Sequence, residues 1–387
     1  MKTLNVGMIG GGFMAKAHSL AYAAMPMFFW PAPAMPVRKG IADLDQESAE
    51  DAAQRFGYEK AYGDWHDLVR DPEIDVIDIV TPNYLHPAMA IEAAQAGKHV
   101  LCEKPLASTA EEAKSMWEAV KKAGVTNMVT YSYRRTPAVA LAKKLINDGR
   151  IGKILNFRGT YLQDWSADPN SPLSWRFQRS LAGSGSLGDI GAHVVDFARY
   201  LVGDIAAVSG ISKTWIAQRP IQQGSLDLLG TAKASENVPL GPVDVDDEIL
   251  TMIHFVNGAV GSIEATRNAH GRNNYLTFEI HGEQGSIFFN YERRDELQVC
   301  LDGNPELKGF TTIYTGPNHP YGNNLWPIPA LGIGFGETRI AEIHDFFEGI
   351  VSGSMARPTF EDGYQIAEID EAIIESAKSG KWVSTSL

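Results

Sequence analysis

Three polar side chains in this sequence stand where acid–base chemistry could be done. Asp189 and His193 lie four residues apart in Gly188-Asp189-Ile190-Gly191-Ala192-His193-Val194-Val195-Asp196. On a helix that spacing puts both on one face. A carboxylate beside an imidazole fixes its tautomer and supports its charged form, which makes a competent proton acceptor. An ordinary ion pair has the same spacing, so the segment alone leaves both readings open. The third group is Lys104, in Glu103-Lys104-Pro105 at the end of an apolar run. Near a bound cofactor, a lysine at a strand end can donate to a substrate hydroxyl, and desolvation can bring its pKa towards working pH. Taken singly, it reads as a solvated surface lysine. Asp196 could join Asp189 and His193 around a metal. The zinc helix motif pairs two histidines on one face, and here there is one, so no metal is expected.

A second group of residues suits a dinucleotide. Gly10-Gly11-Gly12-Phe13-Met14-Ala15 follows the apolar run Leu4–Ile9 in the pattern G-x-G-x-x-A. Gly10 permits the sharp turn, and Gly12 permits close approach of the backbone to phosphates. Ala15 allows tight helix–strand packing, and the N–H groups of the helix opened by Phe13 and Met14 would face the negative charge. Asp43 ends the second apolar run, where an acidic residue can bond the adenosine ribose hydroxyls; capping the next helix is its other reading. Leu44-Asp45-Gln46 follows with no arginine, so a 2′-phosphate would meet carboxylates. NAD is therefore expected rather than NADP. Thr81-Pro82-Asn83-Tyr84-Leu85-His86 and Glu103-Lys104-Pro105 end the next strands, at the edge where open α/β sheets bind ligands. Thr81, Pro82, Asn83, His86, Glu103 and Lys104 join the expected cofactor set. For substrate, the expected contacts are Tyr133, Arg134, Gln163, Asp164, Trp165, Trp175 and Arg176, from strand ends or loops of the second domain. Aromatic faces and bidentate side chains suit a hydroxyl-rich ring. Each has a structural reading too: Arg134-Arg135 and Trp175 could anchor a domain interface.

The elements that must hold these residues follow from pattern. The first third alternates strand and helix: helix at Ala15–Ala24, strand at Val37–Ala42, helix at Gln46–Phe56, strand at Val76–Val80, helix at His86–Ala96 and strand at His99–Cys102. Ser108-x-x-Glu111 reads as a capping box opening a helix that runs to Gly124, and Asn127–Tyr131 follows as a strand. Such alternation implies a parallel sheet covered on both faces. After Tyr131 the character changes. Pro137–Asn147 reads as a helix. Glu248–Phe255 and Ala259–Thr266 flank Asn257-Gly258, and Leu276–His281 and Ser286–Tyr291 flank Glu283-Gln284-Gly285, both hairpin signals. A helix at Leu187–Leu201, with the stripe Leu187, Ile190, Val194, Phe197 and Leu201, interrupts this antiparallel region. Helices at Arg339–Val351 and Tyr364–Lys378 end the chain. The expected fold is α/β plus α+β: an N-terminal Rossmann domain over 1–130 and a substrate-binding, oligomerising domain over 131–387 on an open, mostly antiparallel sheet. Met25–Pro36 and Gly316–Gly336 read as loops that pack on the surface or contact another subunit, with an active-site lid as the other reading.

Composition bounds the function. The chain has 387 residues and a formal net charge of −13. That charge argues against nucleic acid or an anionic membrane as general partners. Two cysteines, Cys102 and Cys300, are too few for a disulfide framework or a zinc knuckle. The first strand begins at Leu4, leaving no room for a signal peptide, and no apolar run is long enough to span a bilayer. A cytoplasmic location is the expectation.

Taken together, Gly10-x-Gly12-x-x-Ala15, Thr81-Pro82-Asn83, Glu103-Lys104-Pro105 and the Gly188–Asp196 segment resemble the glucose–fructose oxidoreductase / inositol dehydrogenase / rhizopine-catabolism (Gfo/Idh/MocA) family over nearly the whole chain. Met25–Arg38 and Thr160–Phe177 are similar to its branch of levoglucosan dehydrogenase and related sugar 3-dehydrogenases. The enlarged Met25–Pro36 connection departs from the general family pattern but is shared with that branch. The resemblance implies that Lys104, Asp189 and His193 form a catalytic trio. It implies oxidation of a secondary ring hydroxyl of a sugar or cyclic polyol by NAD, with levoglucosan or a related pyranose oxidised at C3. It also implies a homo-oligomer, a dimer or tetramer, formed through the exposed sheet face. Inositol dehydrogenase, an NAD-dependent glycoside hydrolase and a non-catalytic NAD-binding sensor are the alternative functions.

Overall fold

The computed structural model describes residues 1–221, 238–303 and 305–385. They form two compact units: Met1–Arg135 with Ile333–Gln365, and Thr136–Gly332 with Ile366–Leu387.

The first unit is built on six parallel strands, β1 (Thr3–Ile9), β2 (Met35–Ala42), β3 (Lys60–Tyr62), β4 (Val76–Ile79), β5 (His99–Cys102) and β6 (Asn127–Val129). Their order is β3-β2-β1-β4-β5-β6. The order reverses between β1 and β4, and the crevice beyond the carboxyl ends at such a reversal is where these sheets take ligands. β4 is buried at every position, as a strand covered on both faces must be.

Local rules set most boundaries. Gln46–Phe56 is helical and stops at Gly57, and Pro137–Asn147 is helical. Two local readings change. The capping box sits one residue later than read: Thr109 Oγ1 accepts the Glu112 N–H at 3.2 Å, and Glu112 Oε2 accepts the Thr109 N–H at 3.1 Å. Both overlapping quartets fit the pattern, and the buried stripe Ala113, Met116, Val120 accompanies the later start. The expected Met25–Pro36 loop is also shorter. The first helix spans Phe13–Phe28 with Pro26 inside it, and β2 begins at Met35. Its outer end is held by packing on the helix Phe335–Ser352: Tyr22 meets Phe347 at 6.0 Å and Phe29 stacks on His344 at 4.1 Å. Tertiary contact here outweighs the cost of a proline in the last turn.

That packing also explains why a boundary at 130/131 does not divide the compact units. The helix Phe335–Ser352 lies late in the chain but packs on the first helix and on Ser132–Arg135.

Among the described residues of the second unit, one sheet has nine strands: β7 (Ile154–Leu162), β8 (Ile205–Lys213), β11 (Glu248–Phe255), β12 (Val260–Thr266), β13 (Tyr275–Gly282), β14 (Gly285–Asn290), β15 (Glu296–Leu301), β16 (Thr311–Tyr314) and β17 (Val383–Ser384). β9 (Gln218–Pro220) and β10 (Leu240–Pro242) pair separately. The order is β16-β15-β14-β13-β7-β12-β11-β8-β17, antiparallel throughout except between β7 and β12. Both read hairpins, β11/β12 and β13/β14, are present. On β11, Ile249, Thr251, Ile253 and Phe255 are buried while Leu250 and Met252 are exposed, so one face is covered and the other is open. The helix Ala192–Leu201 covers the inner face, with Phe197 edge-on to Phe278 at 5.4 Å. Among the described residues, no helix is long and apolar enough to cross a membrane.

Candidate functional site

In the first unit, the expected cofactor residues gather at the carboxyl ends of β1, β2, β4 and β5. Gly10 turns out of β1 at φ +108°, a conformation open to glycine, and donates its N–H to Ala42 O at 2.8 Å. Gly12 is the N-cap of the first helix and supplies no side-chain cap, and the first turn holds no acidic residue. The leading amides are therefore not covered by a local carboxylate or hydroxyl, which is what an anion at this terminus requires. The sequence reading gave Gly11 no part, yet it is the tightest position of the turn. A Cβ there would overlap the Asp43 carboxylate and stand 2.9 Å from Ala52 Cβ. Arg55 Nη2 donates to Gly11 O at 2.9 Å, fixing the turn from behind. Asp43 does not cap the next helix. That task falls to Asp45, whose Oδ1 accepts the Ser48 N–H at 2.8 Å, so Asp43 is left at the edge of the turn. The cradle fits a dinucleotide pyrophosphate, with Asp43 beside it for a ribose.

Thr81, Pro82 and Asn83 form the loop after β4, with Asn83 buried. His86 is buried too. Its Nε2 lies 2.9 Å from Thr81 O, and its Nδ1 lies 3.2 Å from both Pro105 O and Leu106 O. Burial pushes the imidazole below its ordinary value, and those carbonyls oppose the shift. His86 thus lies between the Thr81 loop and the loop carrying Lys104.

Glu103 is buried, and both of its oxygens are engaged. Oε1 meets Arg339 Nη1 at 2.9 Å and His18 Nε2 at 3.1 Å, and Oε2 accepts the Lys104 N–H at 3.0 Å. Burial would raise its carboxyl, but Arg339 and His18 hold it well below the usual carboxylate range. Arg339 and His18 had no part in the sequence reading. Tyr133 and Arg134 were expected from the second domain; they lie instead in the 3-10 turn Ser132–Arg135 of the first unit, both buried.

In the second unit the expected helix Leu187–Leu201 is not uniform. Leu187–Gly191 is a π turn, and the α-helix proper is Ala192–Leu201. Widened turns of this kind recur at functional sites, because they re-aim side chains that a regular helix would space evenly. Asp189 lies on that turn and His193, buried, in the first turn beyond it. The loop entering the turn is pinned by Asp246, which sequence reading missed. Its Oδ1 accepts the Gly185 N–H at 2.7 Å, and its Oδ2 accepts the Leu187 N–H at 2.8 Å and the Ser186 hydroxyl at 2.7 Å.

Asp189 Oδ2 pairs with Arg267 Nη1 at 3.2 Å. Arg267 is fully buried, and its guanidinium lies 5.2 Å from the ring centroids of Trp165 and Phe177. Arg176 shares this neighbourhood, stacked on Trp175 at 4.4 Å. Burial and the nearby Arg267 lower its guanidinium pKa, and the Asp189 charge opposes them. Trp165 thus lies against Arg267 and Trp175 against Arg176, the two guanidiniums that feel the Asp189 charge. Gln163 and Asp164 take other partners: Gln163 Nε2 donates to Asn274 Oδ1 at 3.0 Å, and Asp164 Oδ2 accepts the Gly271 N–H at 3.1 Å. The Tyr161 hydroxyl donates to the same Asn274 oxygen, and the Tyr161 ring centroid lies 5.9 Å from that of His193. Arg267, Tyr161 and Asn274 are contributors that no local motif signals. Among the described residues, no group of histidines, cysteines and carboxylates could hold a metal ion.

Comparison with known proteins finds relatives for both regions of the chain. Residues 4–131 match the family described as "Oxidoreductase family, NAD-binding Rossmann fold", and residues 139–288 match the GFO/IDH/MocA C-terminal domain. The chain is 66% identical over 384 residues to levoglucosan dehydrogenase of Pseudarthrobacter phenanthrenivorans, covering 99% of this chain and 98% of that protein. It is 33% identical over 261 residues to scyllo-inositol 2-dehydrogenase (NAD(+)) of Bacillus subtilis, covering 67% of this chain and 68% of that one. A solved levoglucosan dehydrogenase in complex with NADH and levoglucosan superposes with a TM-score of 0.94 at 63% identity, covering 99% of each chain. The chain belongs to the glucose–fructose oxidoreductase / inositol dehydrogenase / rhizopine-catabolism family of NAD-binding oxidoreductases.

Proposed function

We propose that this protein is an NAD-dependent sugar dehydrogenase that oxidises a secondary ring hydroxyl to the ketone, with levoglucosan or a related pyranose as substrate and C3 as the carbon oxidised. The observation that carries the reading is the setting of Asp189 and His193: a carboxylate on a π turn, paired with a buried arginine and followed four residues on by a buried histidine. A site that only binds NAD needs no such proton acceptor.

When bound, NAD supplies the hydride acceptor. A ring nitrogen of His193 takes the hydroxyl proton as the C–H bond is broken. Asp189 supports the resulting imidazolium, and Arg267 holds Asp189 in place. Lys104 donates a hydrogen bond to the reacting oxygen and stabilises its alkoxide character. Trp175 and Arg176 offer an aromatic face and a forked donor to a ring rich in hydroxyls. Tyr133, Arg134, Gln163, Asp164 and Trp165 complete the proposed substrate set. Gly10, Gly12, Phe13, Met14, Asp43, Thr81, Pro82, Asn83, His86 and Lys104 serve the cofactor, while Glu103, read with them from the sequence, has both oxygens taken by protein groups and supports the Lys104 loop instead.

Following NADH absorbance against levoglucosan, glucose, glucosides and inositol isomers tests the reading. Net NADH with levoglucosan or a pyranose supports it. A preference for inositols would move the assignment to inositol dehydrogenase, and bond cleavage without net NADH would move it to a glycoside hydrolase.

A homo-oligomer in the cytoplasm completes the proposal. Its support is the open sheet face, where Leu250 pairs across strands with Ile211 and shares its face with Met252 and Val260, all exposed. Contiguous exposed apolar surface of this kind marks contact sites. Light scattering on the purified protein would test it, a monomer at working concentration being the contrary result.

A further inference from the structure

Beneath the Lys104 loop lies a chain of buried charges that the reaction itself does not use. His18 Nδ1 meets Asp78 Oδ2 at 2.8 Å, and the Tyr22 hydroxyl donates to the same oxygen at 2.9 Å. His18 Nε2 meets Glu103, which also meets Arg339. Arg339 Nη1 meets Glu342 Oε2 at 2.8 Å, and Glu342 Oε1 meets Arg135 Nη1 at 3.4 Å. Arg135 Nε ends the chain on Asp345 Oδ2 at 3.0 Å. His18, Asp78, Glu103, Arg339, Glu342 and Arg135 are all buried. They come from the first helix, β4, the end of β5, the helix Phe335–Ser352 and the turn Ser132–Arg135.

So many ions in one core bring no net stability that well-packed apolar residues could not match, so stability alone does not explain them. Their geometry offers another explanation. The chain converges on one carboxylate, Glu103, and that carboxylate has one oxygen left for the outside. The oxygen accepts the main-chain N–H of Lys104.

We propose that Glu103, clamped by His18 and Arg339, is a positioning residue that fixes the main chain of Lys104 and so sets where the lysine ammonium reaches. The proposal rests on the reading that Lys104 touches the reacting oxygen. Four carboxylates, Asp78, Glu103, Glu342 and Asp345, face two guanidiniums, Arg339 and Arg135, so a protonated His18 adds a third positive charge where the carboxylates are in excess. Burial lowers the imidazole, but Asp78 and Glu103 outweigh it and raise His18 to about 9, with Arg339 opposing. The clamp is therefore intact at neutral pH.

Glu103→Gln tests this. The amide can accept from the Lys104 N–H or from the His18 and Arg339 donors, but turning one end to a donor sets donor against donor. A misplaced catalytic group costs up to about a hundredfold in rate. Glu103→Gln should therefore lower kcat by roughly ten- to a hundredfold, with a far smaller change in KM for NAD and full-length protein still folded by circular dichroism. Tyr22→Phe is the comparison, because it removes a donor from the same buried chain without touching His18 or Glu103. It should lower Tm and leave kcat near that of the parent. If Glu103→Gln does not fold, Glu103→Asp keeps the charge but shortens the reach, and the same loss of kcat is expected. Parent-like kcat in the Glu103 variant overturns the proposal, as does a kcat that falls with Tm alike in the Glu103 and Tyr22 variants. Lys104→Met, assayed alongside, separates the two readings. Normal turnover there defeats the role of Lys104 itself, whereas a dead Lys104→Met beside a fully active Glu103→Gln defeats only the clamp.

Discussion

At the carboxyl edge of the parallel sheet, the groups offered to a ligand are mostly main chain: the turn at Gly10–Gly12, the leading amides of the first helix, and loops that meet at His86. In the second unit the offered groups are side chains, Asp189, His193, Arg176 and Trp175, set on and around a π turn whose loop is pinned by Asp246. The two regions also manage charge differently. The first unit buries its ions in the chain from Asp78 to Arg135, while in the second Asp189 stays a quarter exposed against a fully buried Arg267. A cofactor common to many reactions is met by backbone geometry, which varies little with sequence. In the proposed function, a particular substrate and its proton are met by side chains, which can be exchanged one at a time.

Side-chain loss should therefore act most strongly in the second unit. His193→Ala is expected to lower turnover by about a hundred- to ten-thousandfold, the range of a positioned general base, while NAD titrations give an unchanged dissociation constant. In the first unit the damaging change is an added Cβ. Gly11→Ala forces the Asp43 carboxylate and Ala52 apart, an overpacking worth about 1–3 kcal/mol, so NAD affinity should fall by roughly tenfold or more. Arg267→Met removes the buried partner of Asp189 and should lower kcat by about tenfold, the worth of one hydrogen bond to a charged group. An unchanged kcat would show that Asp189 needs no anchor.

The smallest effect concerns pH. His18 binds its proton more tightly in the folded protein, at about 9 against an ordinary 6.5. The stability this contributes is complete below pH 6.5 and fades as pH rises towards 9. Tm measured from pH 6 to 9 should fall across that window, and a flat profile would contradict a protonated, buried His18.

Much of this was legible because it is local. The glycine turn, the Asn257-Gly258 hairpin and the helix Pro137–Asn147 follow from rules that act within a few residues. The functional classification also came through, because Glu103-Lys104-Pro105 and Gly188–Asp196 are short contiguous motifs. What stayed hidden was made by distance along the chain. Arg339 reaches Glu103 from a helix near the other end of the sequence, Asp246 pins a loop far upstream, and Arg267 finds Asp189 from just past β12. The π turn was hidden for another reason: Leu187, Ile190, Val194, Phe197 and Leu201 satisfy an ordinary helical stripe, and nothing in that stripe reveals the widened turn. Proline in the first helix misled in the same manner, since packing against Phe347 and His344 decided the outcome.

The division of labour between the two units is tested most directly by measuring two constants in two variants. NAD dissociation and kcat at saturating NAD and levoglucosan would be determined for His193→Ala and Gly11→Ala. The expected result is a crossed pattern: His193→Ala keeps its NAD affinity and loses turnover, and Gly11→Ala loses affinity and retains most of its kcat. If both variants lost affinity and turnover together, or if His193→Ala turned over normally, the assignment of cofactor binding to the first unit and proton transfer to the second would be wrong.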